Sequence, residues 1–234
     1  MRSVIDFHSH VLPGIDDGSS SLEESIQLLQ AESEQGIDRV VATPHFYAHY
    51  DSPEHFLQKR DEAEALLRRE MENYDDLPEL SIGAEVHFFR GLGDSEYLRD
   101  LCIRDTDCIL VEMMGAPWPD IVYAELERIL SRGITPIIAH IDRYIAPFKT
   151  YGIPKRLAKL PVLVQANASF FLDNDSQRMA LKMLKKDQIH LLGSDCHNLH
   201  SRPPELGYAM RLISRKLGTA ELERVNRYGE TVLY

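Results

Sequence analysis

The chain has 234 residues, 44% of them hydrophobic, and a formal net charge of −11 at pH 7. This length fits one large α/β domain, and the acidic balance argues against nonspecific nucleic-acid binding, which needs a basic face. No apolar run reaches the roughly 18 residues of a membrane helix, and no signal-peptide pattern follows Met1. Three cysteines do not make a secreted disulfide framework. We therefore expect a cytoplasmic protein with one domain over residues 1–234 and no membrane insertion.

In chain order, short β-branched apolar runs alternate with segments of helical spacing. Strands alternating with helices indicate parallel βαβ units. Seven strands predict an α/β barrel that closes imperfectly, with a doubly wound open sheet as the alternative. The predicted elements are strand 3–8, a helix from Leu22 with Ser21 and Glu24 as a capping box, strand 38–43, helix 53–73, strands 80–85 and 108–112, helix 119–132, strands 135–140 and 162–167, helix 175–186, strand 189–194 and helix 203–217.

Residues that bind metals recur where the predicted strands end. In parallel α/β folds the carboxyl ends of the strands share one edge, where active sites are built. A buried cluster of carboxylates and imidazoles would carry a severe desolvation cost without a metal, and this donor set suits Mn, Fe or Zn. The residues are His8 and His10 at the first strand, His45 at the second, Glu85, Glu112 and His140 at the third to fifth, and Asp195 with His197 at the seventh.

Three further features belong to the same edge. Asp16 and Asp17 follow the first strand, where they are either ligands or turn residues. Arg143 and Arg202 lie in loops after ligand-bearing strands, and an arginine fork matches a phosphate group, although exposed arginines are common. Tyr47, with Tyr50 nearby, either lines a substrate entrance or belongs to an ordinary exposed loop.

Five motifs in sequence order resemble the PHP superfamily, and more narrowly its manganese-dependent bacterial protein-tyrosine phosphatases of capsule and exopolysaccharide synthesis. The resemblance spans residues 6 to 204 and implies a distorted (β/α)7 barrel of the PHP type, similar to a TIM barrel. Asp142 departs from it, because such enzymes often carry Glu there. The motifs are DFHSHVLPGIDDG (6–18), ATPHF (42–46), GAEV (83–86), AHIDRY (139–144) and GSDCHNLHSRPP (193–204).

Carried over residue by residue, the resemblance implies a cluster of three metal ions, with Mn2+ expected and Fe or Zn as alternatives. Glu85 would bridge two ions, and Asp17 rather than Asp16 would be the ligand of the Asp pair. Arg143 and Arg202 would bind the phosphate. The implied metal ligands are His8, His10, Asp17, His45, Glu85, Glu112, His140, Asp195 and His197.

The resemblance implies a hydrolase that cleaves phosphotyrosine by in-line attack of a hydroxide generated at the metal site. Its protein partner would be an autophosphorylated bacterial tyrosine kinase controlling polysaccharide export. The alternatives are another PHP phosphoesterase, such as a histidinol-phosphate phosphatase or a phosphodiesterase, and a catalytically silent metal-binding module that docks on a kinase. The sequence nominates no general acid.

The sequence also contains the motif of a second class of phosphatase. Cys196 to Arg202 fits C-x5-R, the pattern of cysteine-dependent tyrosine phosphatases. That chemistry needs a tight loop of backbone N–H groups around the phosphate, usually with glycine, and the five intervening residues contain none. Alternation from Asp195 and His197 also points Cys196 away from the metal edge. We therefore predict that Cys196 is a core residue.

Overall fold

The computed structural model describes residues 3–115, 117–145 and 147–233. All seven predicted strands form, although strand 80–85 is interrupted, and one further short strand follows strand 38–43. None of the helices in these ranges is long and apolar enough to cross a membrane. The strands are β1 (Ile5–Ser9), β2 (Arg39–Ala42), β3 (His45–Phe46), β4 (Glu79–Ile82), β5 (Glu85–His87), β6 (Cys108–Glu112), β7 (Thr135–Ile138), β8 (Leu163–Asn167) and β9 (Leu191–Gly193).

Five of the helices agree with the predicted segments, and four were not predicted. Ser21 caps the first helix by accepting a hydrogen bond from the Glu24 N–H, as the capping box predicts. The predicted helices are α1 (Leu22–Glu34), α2 (Pro53–Met71), α3 (Asp120–Ser131), α7 (Gln177–Lys185) and α8 (Leu206–Leu217); the additional ones are α4 (Asp142–Ile145), α5 (Ile153–Leu157), α6 (Ala168–Leu172) and α9 (Thr219–Leu233).

All strand pairs among the described residues are parallel, and they occur in the two orders β1-β2-β4 and β3-β5-β6-β7-β8-β9. β3 lies beyond the predicted strand 38–43 and is separated from β2 by Thr43-Pro44, whereas the predicted strand 80–85 is interrupted at Gly83-Ala84 between β4 and β5. Backbone bonds continue across both breaks, from Gly83 N to Ala42 O and from Glu85 N to Pro44 O. The breaks therefore bend the sheet without ending it.

The sheet curls so that the segment after the last strand, β9, lies beside the first strand, β1. Asp195 N donates to His8 O at 2.7 Å, and His10 N donates to Cys196 O at 2.9 Å. Ser9 and Cys196 form a parallel bridge between these segments. A doubly wound sheet would reverse its strand order near the middle. No reversal occurs among the described strands, so the observed order contradicts that alternative.

Apolar residues fill both faces of the sheet and leave the strand ends to polar side chains. On β6, Ile109 and Val111 belong to the large cluster that packs against the helices. The alternate residue Leu110 lies in a separate cluster with Phe7 of β1 and Val232 of α9. α9 thus completes a second core that the sequence pattern had not revealed.

A close approach between β9 and β1 gives a stability prediction. A Cβ added at Gly193 would lie 2.6 Å from His8 Cβ and 3.0 Å from His8 N, whereas at Gly152 nothing lies within 4 Å. We expect Gly193→Ala to lower the free energy of unfolding by about 1–3 kcal/mol through overpacking, with Gly152→Ala close to wild type. Thermal unfolding of the two variants checks this, and equal stabilities would refute the predicted clash.

Candidate metal centre

Glu85 is the centre of a group of four histidines from three strand ends. Its Oε2 atom lies 3.1 Å from His8 Nε2, 3.4 Å from His10 Nε2 and 3.0 Å from His45 Nδ1. Its Oε1 atom lies 2.7 Å from His140 Nε2. His45 and Glu85 are register partners on β3 and β5, which places them side by side. Parallel pairing and a shared edge therefore bring these side chains together.

Asp16 and Asp17, which the sequence could not separate by role, have different positions. Asp16 Oδ2 lies 2.7 Å from His10 Nδ1 and accepts from the His45 N–H at 2.9 Å. Asp17 is exposed, and its Oδ1 atom lies 3.4 Å from His45 Nε2 and 3.5 Å from His197 Nε2. A carboxylate that accepts from one imidazole nitrogen orients the other nitrogen toward a metal. Asp16 thus has the place of an orienting residue and Asp17 that of a donor.

Glu112 lies at the outer side of the group. Its Oε1 atom is 3.6 Å from His140 Nε2, and its Oε2 atom is 3.0 Å from His87 Nδ1. The hydrogen bond with Glu112 raises the pKa of His87 above its ordinary value. His87, which no motif had assigned, therefore contacts a predicted ligand.

Seven of the nine predicted ligands fall into three overlapping groups, in each of which all ligand atoms lie within 4.8 Å of one another, and His140 and Asp195 lie beside these groups. Several of their buried atoms lack a hydrogen-bond partner among the described residues, even where another polar atom is near. Buried polar atoms rarely lack partners, so these orphaned atoms fit a site that metal ions would satisfy. The groups are His10, Asp17, His45 and His197; His8, His10 and Glu85; and His45, Glu85 and Glu112. The orphaned atoms are His45 Nδ1, Glu85 Oε2, His140 Nδ1, Asp195 Oδ1 and His197 Nε2.

The two most buried carboxylates of the centre are held in the ionised form. Burial by itself raises the pKa of Glu85, but the charges of His8 and His140 outweigh it and hold that pKa well below its ordinary value. Burial likewise raises the pKa of Asp195, and His8, His10 and Arg143 together hold it well below its ordinary value. Ionised carboxylates are the form that binds divalent cations.

Arg143 and Arg202 both contact Asp195 from the solvent side. Arg143 Nη2 forms an ion pair with Asp195 Oδ2, and Arg202 Nη2 lies 2.6 Å from Asp195 Oδ1. The second contact lacks hydrogen-bond geometry, since Arg202 Nη2 has no partner by that criterion. Both arginine side chains are more than a third exposed. Two cationic forks are thus open to an anion at the mouth of the site.

Two positions in the centre have strained backbone conformations. His140 has φ 28° and Asp195 has φ 55°, values that residues with a side chain rarely adopt. Gln165 Oε1 accepts from the His140 N–H at 2.5 Å, and Asn167 Nδ2 donates to Asp195 Oδ2 at 2.8 Å. These two β8 amides were missed in the sequence, because β8 carries no metal-binding residue type. The one sequence signal that could have indicated them is their position at the end of the sixth predicted strand.

Cys196 is fully buried on the other side of this segment, as alternation predicts. Its thiol lies among Asp6, Glu32 and Ser194, and Asp6 Oδ2 accepts from the Ser194 hydroxyl at 2.5 Å. Burial, together with the negative charge of Glu32, raises the pKa of the thiol well above its ordinary value. A thiol that stays protonated and is inaccessible to a phosphate cannot act as the nucleophile of a C-x5-R phosphatase.

An aromatic wall, made of Tyr47, His49, Tyr50 and His87, borders the centre. Tyr47 lies 5.2 Å from the ring centroids of both His45 and His87, and the His49 and Tyr50 centroids are 4.0 Å apart. A neighbouring cavity of about 430 Å³ is lined by Asp17, Tyr47 and Tyr50, among others. Both tyrosines therefore line the cavity beside the centre, and Tyr50 is at the same time 82% exposed, as in an ordinary surface loop. Their role at a substrate entrance stays a prediction. His200 lies in an exposed bend.

The fold and the site together define a parallel α/β protein with a candidate metal centre at the carboxyl edge of its strands. The sequence pattern of the family described as "Capsular polysaccharide synthesis, CpsB/CapC" matches residues 4–232. The chain therefore belongs to the CpsB/CapC family. This finding confirms the family resemblance drawn from the five motifs.

The similar proteins are consistent with membership of this family. The chain is 31% identical over 237 residues to the tyrosine-protein phosphatase CpsB of Streptococcus pneumoniae, covering 95% of this chain and 94% of the relative. It is 30% identical over 235 residues to CpsB of Streptococcus agalactiae serotype V, covering 96% and 94%. A solved structure superposes on this chain with a TM-score of 0.89 at 23% identity, covering 98% of this chain and 94% of that one. It comes from work on YwqE of Bacillus subtilis and CpsB of Streptococcus pneumoniae, which are described as "unique metal-dependent tyrosine phosphatases".

Proposed function

We propose that this protein is a metal-dependent tyrosine-protein phosphatase, built as one catalytic domain on a (β/α)7 barrel of the PHP type. The observation that carries the proposal is the convergence of nine predicted ligands from six strand ends beside two exposed arginines. The names of the relatives support it, as does their coverage of nearly the whole chain. The proposed ligands are His8, His10, Asp17, His45, Glu85, Glu112, His140, Asp195 and His197.

The family resemblance implies three ions, and Mn2+ suits the mixture of carboxylate and imidazole in the donor groups. When bound, such ions supply a nucleophile from water at neutral pH and neutralise charge on the phosphate. Glu85 contributes to two of the groups, as a bridging carboxylate would. Asp16, Gln165 and Asn167 would hold the ligands in place through the hydrogen bonds described above.

Arg143 and Arg202 would hold the phosphate oxygens while charge develops on them. Their Nη atoms converge on one carboxylate, so they reach the same small volume. The aromatic wall would contact the ring of the leaving group, because an aromatic ring packs favourably against other rings. A phenol has a pKa of about 10 and leaves more easily than an alcohol, so a strong general acid is unnecessary.

Participation in capsular polysaccharide synthesis follows from the family description, and the phosphoprotein substrate would be an autophosphorylated bacterial tyrosine kinase. Among the relatives, the protein of Staphylococcus aureus is named a putative tyrosine-protein phosphatase CapC at 26% identity. The kinase partner and the cytoplasmic location stay predictions.

We expect hydrolysis of a phosphotyrosine peptide to disappear on chelation, to return with Mn2+ and to survive Cys196→Ser. The reason is that the donor centre, and not the buried thiol, contains the groups that phosphate-ester hydrolysis needs. The measurement compares the Mn-loaded protein, chelator-stripped protein and the Mn-loaded variant under the same conditions. Activity that ignores chelation but vanishes in Cys196→Ser would overturn the proposal.

The same assay separates the rival functions. Faster turnover of histidinol phosphate or of a phosphodiester than of the peptide would indicate another PHP phosphoesterase. Protein that binds Mn2+ but hydrolyses none of the three substrates would be the silent docking module.

A further inference from the structure

A second concave surface, here called the basic groove, lies outside the metal centre between α4, α5 and α7. It encloses about 660 Å³. Its floor contains the buried side chains Ile145 and Met183, and its rim carries Lys155, Arg178, Lys182 and Lys186. Arg178 and Lys182 are four residues apart on α7, so they share one face of that helix.

The rim is cationic although the chain as a whole has a net charge of −11. One carboxylate, Asp175, lines the groove against the four cations. Within the described ranges none of these four cations forms an ion pair, whereas Arg224 pairs with Asp187 and Arg104 with Glu64. Unpaired cations around an apolar floor are complementary to an acidic peptide that also carries an apolar side chain.

The groove and the proposed catalytic site share the short helix α4. Within the four-residue helix α4, Arg143 contacts Asp195 and Ile145 contributes to the groove floor. A helix with its side chains is about 10–12 Å across, and an extended chain covers about 3.3–3.6 Å per residue. An extended peptide with its phosphate at Arg143 would therefore cross the width of one such helix in about three to four residues.

We propose that the basic groove binds an acidic segment of the phosphoprotein substrate, a few residues away in sequence from the phosphotyrosine. This proposal rests on the proposed function, since it names a second contact of the same substrate. The groove would raise the affinity for acidic substrates without taking part in the hydrolysis itself. Its cations attract at a range of about 10 Å at 0.1 M salt, so the preference weakens as salt increases.

The test compares Arg178→Glu/Lys182→Glu with the control Arg215→Glu/Lys216→Glu. Both variants replace one arginine and one lysine and change the net charge equally, but Arg215 and Lys216 are exposed residues of α8 outside the groove. Two phosphotyrosine peptides serve as substrates, identical except that one has a glutamate-rich flank and the other a serine-rich flank. We expect wild type and control to favour the acidic peptide in kcat/KM, and the groove variant to lose about tenfold on that peptide alone. Turnover of a small aryl phosphate stays unchanged in all three, which shows that they are folded.

A second probe is independent of phosphatase activity. Fluorescence anisotropy measures binding of an unphosphorylated glutamate-rich peptide, which the groove variant should bind more weakly than wild type and control. If no phosphotyrosine peptide is hydrolysed while this difference persists, the groove is supported and the proposed function is not. The groove proposal fails if wild type has no preference for the acidic peptide, or if the control loses as much activity on that peptide as the groove variant. Binding to phosphatidylserine vesicles is measured for the same proteins. The proposal also fails if vesicle binding is the one property that the groove variant loses.

Discussion

Glu85→Gln is expected to eliminate metal-dependent phosphatase activity and most of the metal binding. Glu85 is fully buried and lies within 3.4 Å of three different histidine nitrogens through one oxygen atom. The amide keeps the shape but removes the charge and one acceptor from two donor groups at once. Loss of an outer-shell partner already costs about 10–100-fold in metal affinity or activity, so loss of this ligand should exceed that range. Metal content after dialysis and kcat/KM on a phosphotyrosine peptide measure both effects.

Glu125→Gln is the matched control. Glu125 is also fully buried, but it accepts from Gly93 N and contacts Arg128, away from the donor groups. It should keep its metal and its activity. Metal binding also stabilises the native state by mass action, so Mn2+ should raise the melting temperature of wild type and of Glu125→Gln but not of Glu85→Gln. A Glu85→Gln protein with full metal content and activity would contradict the role proposed for this residue.

Arg143→Ala and Arg202→Ala are each expected to lower kcat by about 10²–10³-fold, the usual cost of removing one group that stabilises transition-state charge. Metal content measured in excess Mn2+ should stay near the wild-type level, because neither guanidinium is itself a ligand, although loss of the contact with Asp195 should weaken metal affinity. This combination distinguishes the arginine variants from Glu85→Gln. Steady-state kinetics on the phosphotyrosine peptide, together with metal analysis of the same samples, provide the measurement.

Arg211→Ala serves as the control, since Arg211 is an exposed arginine that stacks on Tyr208. The double variant of Arg143 and Arg202 should lose less than the product of the two single effects, because both residues act on the same phosphate group. An arginine variant with wild-type kcat would remove that residue from the proposed phosphate site.

Much of the fold followed from local patterns. Strands 108–112 and 135–140 are apolar β-branched runs between helical segments, and both form at those positions to within two residues. The short helices α4 and α6 were missed because four or five residues are too few for a helical period to appear. The break at Gly83-Ala84 inside strand 80–85 and the two-residue strand β3 were missed because both depend on how the sheet bends around the core.

The candidate site, too, was predicted in part from the sequence and decided in part by the tertiary structure. The sequence by itself determined which residue types end the strands, because a buried strand followed by His, Asp or Glu is visible in one dimension. Only the tertiary structure decided that Asp16 faces His10 while Asp17 faces His45 and His197, since adjacent residues differ in direction and not in type. It also decided that Gln165 and Asn167 support the centre and that the cations of α7 face a groove. These roles arise from contacts between residues far apart in the chain, which no local pattern encodes.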